Sequence, residues 1–111
     1  MLFRSVVRMG HMVFDNLENI IKYFNIRNEN TANEIRKIES NIDKLEKEII
    51  EYIVKLSSKN ISDSEKKHMF ILIDSVNDFE RIGDHIENIC ELLEQLADEG
   101  TEFFGNGNYR I

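Results

Sequence analysis

Proline is absent from the 111 residues, and glycine occurs only five times. Because β-rich folds need turn-forming residues at frequent intervals, this scarcity favours long helices over sheets. The single cysteine, Cys90, excludes an intramolecular disulfide and a zinc site built from several thiolates. The longest uninterrupted apolar run is Met69–Ile73. This run is far shorter than the roughly 20 apolar residues that a membrane-spanning helix requires.

The chain carries an excess of acidic residues, with 21 Asp and Glu against 14 Lys and Arg and a formal net charge of −7. The excess lies in residues 80–102, which contain eight acids and one base. A negative surface argues against partners that are themselves anionic, so we predict neither nucleic-acid binding nor direct lipid binding. Acids near the C-terminus of a helix are also unfavourable against its dipole, so solvent, a neighbouring chain or a cation must offset them.

Apolar residues at three- and four-residue spacing predict three helices, over about residues 2–24, 31–56 and 63–98. Two capping boxes, Thr31–Glu34 and Ser62–Glu65, indicate where the second and third helices begin. Because short connectors make consecutive helices antiparallel neighbours, we predict an all-α fold, an elongated up-down-up three-helix bundle. Residues 1–100 form this bundle in the prediction, and residues 101–111 are a flexible tail.

Several large or sulfur-containing residues fall on the predicted apolar stripes. Cys90 reads as a small buried residue. The phenylalanines at helical spacing are predicted to lie in the core: Phe3, Phe14, Phe24, Phe70 and Phe79.

The chemistry suggested by the sequence depends on carboxylates four residues apart. Glu39 and Asp43 in the second predicted helix follow the pattern E-x-x-x-D, and so do Glu80 and Asp84 in the third. Residues at this spacing lie one above the other on a helix face, about 5–6 Å apart. Two carboxylates so placed repel each other and form half of a site for a hard cation.

The pattern alone is common in an acidic chain, and position in the predicted hairpin decides which copies matter. The connector between the second and third helices is centred near residue 61.5, so residues whose numbers sum to about 123 lie at the same height. Glu39 is then level with Asp84, and Asp43 with Glu80. We therefore predict that four carboxylates converge, on the flanks of the two apolar stripes. A third copy of the pattern, at residues 94 and 98, is level with the first connector and has no partner pair.

Two further residues, Glu46 and Asn77, are level with each other by the same rule and would extend the cluster. A plainer interpretation of the four acids is that they are solvated and form ion pairs with the nearby bases Arg36, Lys47 and Arg81. Such pairs contribute only about 0.3–0.5 kcal/mol each. Spacing alone leaves both interpretations open.

Gly83, next to Asp84, favours a functional role for this part of the helix. A glycine inside a helix costs about 1 kcal/mol relative to alanine and often marks the close approach of a partner.

An oxygen-activating di-iron enzyme would need two E-x-x-H motifs in addition to inward-facing acids. The sequence contains one, Glu65–His68, at the predicted tip of the hairpin and far from the four acids. No Ser/His/Asp set and no glycine-rich phosphate loop is present. We therefore predict that the protein is not an enzyme.

The stretch Val76–Ile89, VNDFERIGDHIENI, resembles the signature of PhoU domains. Ile38–Leu45, IESNIDKL, followed by Ile50–Ile53, resembles the partner motif. Arg8–Gly10 is similar to the start of the PhoU-like region of bacterial Na/Pi cotransporter family proteins. The resemblance extends to about Leu96. It implies a three-helix bundle whose paired E-x-x-x-D motifs bind metal ions on the bundle surface.

By this resemblance, Glu39, Asp43, Glu80 and Asp84 are candidate ligands of a divalent or trivalent metal ion: Fe, Zn, Mn or Mg. The family is associated with phosphate uptake and its regulation. We therefore expect a regulatory domain on the cytoplasmic side of a sodium-dependent phosphate cotransporter, membrane-associated through the full-length transporter. The expected partner is the membrane-embedded transporter segment. Because complete PhoU proteins carry two three-helix repeats, a homodimer or larger oligomer of this chain is also expected.

Two other functions stay open at this point. The chain could be a free-standing PhoU-type regulator of an ATP-driven phosphate importer, which a separate importer operon would indicate. It could also be a metal-free helical oligomerisation module. A melting temperature that does not change when metal is added would favour the last function, because a ligand that binds only the folded state stabilises it.

Overall fold

The computed structural model describes residues 2–98, which form three helices. Helix α1 spans Leu2–Asn25, α2 spans Glu29–Ser57 and α3 spans Asp63–Asp98. Each helix packs against the other two, so the predicted all-α three-helix bundle is confirmed. The bundle is a rod of 62 × 23 × 17 Å. The predicted tail, residues 101–111, lies outside the described residues.

Helix α2 begins two residues earlier than predicted. Its N-cap is Asn28, whose side chain accepts a hydrogen bond of 2.8 Å from the backbone N–H of Asn30. The predicted capping box at Thr31–Glu34 is therefore wrong. Asparagine caps a helix as well as threonine does, and Asn28 comes first along the chain. At the start of α3, Ser62 and Glu65 form the predicted capping box, with two reciprocal hydrogen bonds of 3.1 Å.

The core consists of two apolar clusters in succession along the rod. One contains Val6, Met9, Val13, Ile42, Leu45, Ile49, Ile53 and Val76. The other contains Ile20, Tyr23, Ala32, Ile35, Ile86, Cys90 and Leu93. Cys90 is buried, as predicted.

Two polar residues, Asn16 and Glu39, are buried at the level between the two core clusters. The Asn16 amide donates a hydrogen bond of 3.0 Å to the carbonyl oxygen of Ile35. The carboxylate of Glu39 has no hydrogen-bond partner within the described part of the chain. A buried polar group of this kind is rare and calls for an explanation.

Helix α1 carries two apolar stripes, and only one of them faces the core. The exposed stripe, called here the outer stripe, consists of Phe3, Val7, Phe14, Leu17 and Ile21. Both stripes repeat at three- and four-residue spacing, so periodicity does not show which one is buried. The core prediction is therefore wrong for Phe3 and Phe14, and also for the exposed Phe70 of α3. The remaining two phenylalanines, at positions 24 and 79, are partly buried against the core clusters.

Among residues 2–98, no helix has the length and apolar character needed to cross a membrane.

Candidate metal site

Glu39 occupies a buried position in the middle of α2, with only 3% of its surface exposed. The plainer interpretation, in which Glu39 is a solvated residue on the flank of its helix, is therefore wrong for this residue. A flank of a helical hairpin is open to water, but here α3 approaches so closely at Gly83 that it covers the Glu39 side chain. The buried surface of α2 consequently includes one carboxylate.

Gly83 provides the space that the Glu39 carboxylate occupies. A Cβ atom at position 83 would lie 2.8 Å from Oε2 of Glu39 and 3.4 Å from Oε1. Because Cβ contacts below 3.0 Å essentially never occur, any other residue at this position would displace the carboxylate. The close approach that the sequence associates with Gly83 is thus made by Glu39 across the α2–α3 contact.

Five carboxylates of α2 and α3 form two overlapping sets around Glu39. The first set contains Glu39, Asp43 and Glu80, and the second contains Glu39, Asp84 and Glu87. Within each set, one oxygen of each residue lies within 4.8 Å of the others. Such spacing suits a hard cation, because oxygens bound at about 2.0–2.6 Å lie close to one another around it. The structure therefore brings together all four acids of the two E-x-x-x-D pairs.

The sequence prediction missed Glu87, which is half-buried on α3. Its position contains a usable signal, because Glu87 follows Asp84 by three residues and Glu80 by seven and so lies on the same helix face.

The two predicted extensions of the cluster occupy different environments. Glu46 is half-buried, and its charge contributes to the raised pKa of Glu80, so the two carboxylates lie close together. Asn77 is exposed on α3. Whether either residue binds a cation stays a prediction.

Glu39 and Glu80 hold their protons more tightly than ordinary glutamates do, because the pKa of each is raised. Burial raises the pKa of Glu39 to about 8, and repulsion by Asp43 and Glu87 adds to this shift. Burial also raises the pKa of Glu80 to about 7, with a further contribution from Glu46. Without a cation, the folded protein therefore keeps Glu39 protonated at neutral pH. A metal ion that binds there replaces that proton.

Nearby arginines do not neutralise the cluster. Arg36 forms an ion pair with Glu94, and Arg81 forms one of 3.3 Å with Asp78. The remaining candidate base, Lys47, is exposed and lowers the pKa of Glu46 against the larger effect of burial. The ion pairs that the plainer interpretation proposed between these two arginines and the four acids are thus absent among residues 2–98.

The E-x-x-H motif at the start of α3 serves the helix terminus. Glu65 accepts a hydrogen bond from the backbone N–H of Ser62, and both Glu65 and His68 are exposed.

Residues 6–93 match the PhoU domain family, and this range includes every carboxylate of the cluster. The chain belongs to the PhoU domain family. This PhoU domain is also similar to the phosphate-specific transport system accessory protein PhoU homolog of Clostridium acetobutylicum. The two sequences are 28% identical over 100 residues, which cover 88% of this chain and 46% of the relative. The PhoU domain described here therefore spans about half the length of that relative. No solved structure matches it.

Proposed function

We propose that this PhoU domain is a metal-binding regulatory module of phosphate transport. The observation that supports metal binding is the carboxylate of Glu39, which is almost fully buried and lacks a hydrogen-bond partner. An ionised carboxylate in such a place costs several kcal/mol unless a proton or a cation neutralises it. Four further carboxylates around it provide the ligands that a hard cation needs.

Glu39 would be the shared ligand of the site. Asp43 and Glu80 complete one side, and Asp84 and Glu87 complete the other. Oxygen ligands of this type suit Mg, Mn and Fe, and Zn also accepts carboxylates. When bound, the cation would neutralise the cluster and offer an open coordination position. Because Asp84 is exposed, that position would be accessible to a phosphate or to a carboxylate of a partner.

The link to phosphate transport rests on the family and on the name of the relative. Within that role, we propose the narrower function of a cytoplasmic regulatory domain of a sodium-dependent phosphate cotransporter. The partner would be the membrane-embedded transporter segment, and the domain would act by changing its contacts with that segment, not by catalysis.

A second candidate is a regulator of a separate phosphate-specific transport system, which the name of the Clostridium relative favours. Uptake of labelled phosphate by cells with and without the gene distinguishes the two candidates. If loss of the gene alters only sodium-dependent uptake, the cotransporter function is supported. If it alters uptake that persists without sodium, the second function is supported.

The decisive test of the metal site is elemental analysis of protein purified without chelator and without a nickel column. The parent should contain near-stoichiometric Fe, Zn, Mn or Mg, and a Glu80→Ala/Asp84→Ala variant should lose it. A matched control is Asp74→Ala/Asp78→Ala, which removes two exposed acids at the same spacing on the same helix. This control should retain the metal.

Absence of metal from the parent, even after reconstitution with each of these cations, would refute the metal site. A melting temperature unchanged by metal would agree with that result and favour the metal-free oligomerisation module.

A further inference from the structure

The outer stripe of α1 continues onto α3 near the end of the rod at which α3 ends. A Cβ at Gly10 of α1 would lie 2.9 Å from the ring of Phe79 of α3, and the two helices run in the same direction. Residues of α1 therefore lie level with the residues about 69 positions later in α3. By this rule, the exposed Ile89 and Leu92 lie close to the height of Ile21.

The exposed side chains of α1 and α3 form one apolar surface at this height. Ile89 follows Ile82 by seven residues, and Ile82 follows Phe79 by three, so all three lie on the side of α3 that is turned toward α1. Five side chains form the surface, called here the α1–α3 face: Phe14, Leu17, Ile21, Ile89 and Leu92. They are between 38% and 60% exposed. Together they present on the order of 500 Å² of apolar surface, which is large for a patch on a monomer and indicates an interaction site.

The chain that follows α3 has the composition of a segment that packs on such a surface. The family match ends at residue 93, so residues 99–111 are a feature of this chain outside the matched domain. Residues 101–111 include four large apolar or aromatic residues: Phe103, Phe104, Tyr109 and Ile111. They include only two charged residues, Glu102 and Arg110. Segments that stay solvated are typically poor in aromatic residues and rich in charge, so this composition favours contact with an apolar surface.

The two phenylalanines of the tail can reach the α1–α3 face. Asp98, the last residue of α3, lies eight residues above the level of Ile21, which is about 12 Å along the rod. Phe103 is five residues beyond Asp98, so extended chain carries it about 17 Å. Phe104 reaches about 20 Å, and Leu17 lies about 18 Å below Asp98. Both rings therefore come within reach of the α1 side of the face.

The covalent connection favours the tail over a separate molecule as the occupant of the face. A tethered segment meets its surface at an effective concentration in the millimolar range, whatever the concentration of the protein. Gly100 follows α3 by two residues, and glycine just beyond a helix allows the chain to turn back along it.

We propose that Phe103 and Phe104 of the tail pack on the α1–α3 face and cover it. This arrangement replaces the expectation of a flexible tail. Any other apolar partner of the face has to displace the two rings, so the tail controls access to this surface. The face borders the contact between α1 and α3, whereas the carboxylate cluster lies between α2 and α3. The proposal is therefore independent of the metal site.

Methyl NMR of the 111-residue chain tests this packing directly. Nuclear Overhauser contacts should join the rings of Phe103 and Phe104 to the methyl groups of Leu17, Ile21 and Ile89. The variant Phe103→Ser/Phe104→Ser should lose these contacts, and the same methyl signals should shift because the rings no longer lie beside them.

Two controls separate packing on the face from a general effect of the substitutions. The exposed methyl groups of Ile50 and Val54, on α2 near the other end of the rod, should keep their signals in every variant. Asn106→Ser/Asn108→Ser changes two polar residues of the same tail and should leave all the contacts of the parent in place.

Thermal unfolding measures how strongly the tail is held. A tenfold preference for the docked tail stabilises the folded state enough to raise the melting temperature by about 5–10 °C. Phe103→Ser/Phe104→Ser should therefore melt about 5–10 °C below the parent, and Asn106→Ser/Asn108→Ser should melt with it.

The absence of contacts between the tail and the face in the parent would overturn the proposal, and so would equal melting temperatures of the parent and Phe103→Ser/Phe104→Ser. Contacts seen only between differently labelled copies in a mixed sample would overturn it in favour of a second copy. Methyl signals of the face that broaden with phosphatidylglycerol vesicles, without contacts to the tail, would overturn it in favour of a membrane surface. Because the metal measurement uses other residues, either proposal can fail without the other.

Discussion

Replacing Glu39 with glutamine should stabilise the metal-free protein and remove its stabilisation by metal. Burial and the neighbouring charges raise the pKa of Glu39 from 4.5 to about 8. Between these two values, the folded state holds a proton that the unfolded chain has released. The free energy of unfolding therefore falls as the pH rises from about 4.5 to about 8 and is level above that range. The contribution of Glu39 to stability is fully present only below its unfolded pKa.

The size of this effect follows from the two pKa values. At pH 7, Glu39 is ionised in the unfolded chain but protonated in the folded protein. This difference lowers the free energy of unfolding by up to about 3 kcal/mol. Water reaches the cluster beside Asp84 and screens part of this cost, so we expect about 1–3 kcal/mol. Glutamine has nearly the same shape, carries no charge and can donate hydrogen bonds to Asp43 and Glu80. For a domain of this size, each kcal/mol regained raises the melting temperature by about 4–8 °C.

Thermal unfolding followed by circular dichroism, with chelator at pH 5, 7 and 8.5, measures this effect. The Glu39→Gln variant should exceed the parent by a margin that grows with pH. Addition of the metal found in the parent, at a hundred times its dissociation constant, should stabilise the parent by about 2.7 kcal/mol and leave the variant unchanged. Glu34→Gln, an exposed position on the same helix, should behave like the parent throughout. A variant less stable than the parent at every pH, or a margin independent of pH, would refute the reasoning.

Two further experiments, one substitution and one reaction with a thiol reagent, probe how closely α3 packs against the rest of the bundle. Gly83→Ala should displace the Glu39 carboxylate and weaken metal binding at least about tenfold, as measured by calorimetry. The same substitution should favour the helix itself by about 1 kcal/mol. An unchanged metal affinity would mean that the position of the carboxylate is unimportant for binding. The Cys90 thiol, buried and with a pKa raised to about 11 by that burial, should react with a thiol reagent only as fast as the protein unfolds. Rapid reaction of the native protein would show that α3 opens at this level.

Local sequence signals predicted the helices, and they failed where two signals competed. The period of the apolar residues and the absence of proline were sufficient to predict a three-helix bundle. The start of α2 was misplaced because Asn28 and Thr31 are both good cap residues and only the path of the chain decides between them. Phe3 and Phe14 of the outer stripe were assigned to the core because the period of this stripe equals that of the buried stripe. A helix that faces a second partner has this same pattern.

The geometry of an antiparallel hairpin was sufficient to predict that the four acids lie together, because the height of each residue depends only on its distance from the connector. That geometry contains no information on burial. The burial of Glu39 depends on how closely α3 approaches α2, and Gly83 determines that distance. Glu87 joins the cluster because it lies on the face of α3 that is turned toward Glu39. A calculation of heights along the hairpin does not show which face that is.

Gly83 and Glu39 each weaken the bundle, and they do so at the same contact. Glycine inside a helix costs about 1 kcal/mol relative to alanine, and a buried carboxylate without a partner costs more. A bundle that needed only stability would be better served by alanine and an apolar side chain at these two positions. The glycine admits the carboxylate, and a proton on Glu39, or a cation bound between it and the four acids around it, would offset the cost of burying the charge. This shared dependence is a stronger reason to propose a metal site than the E-x-x-x-D spacing itself.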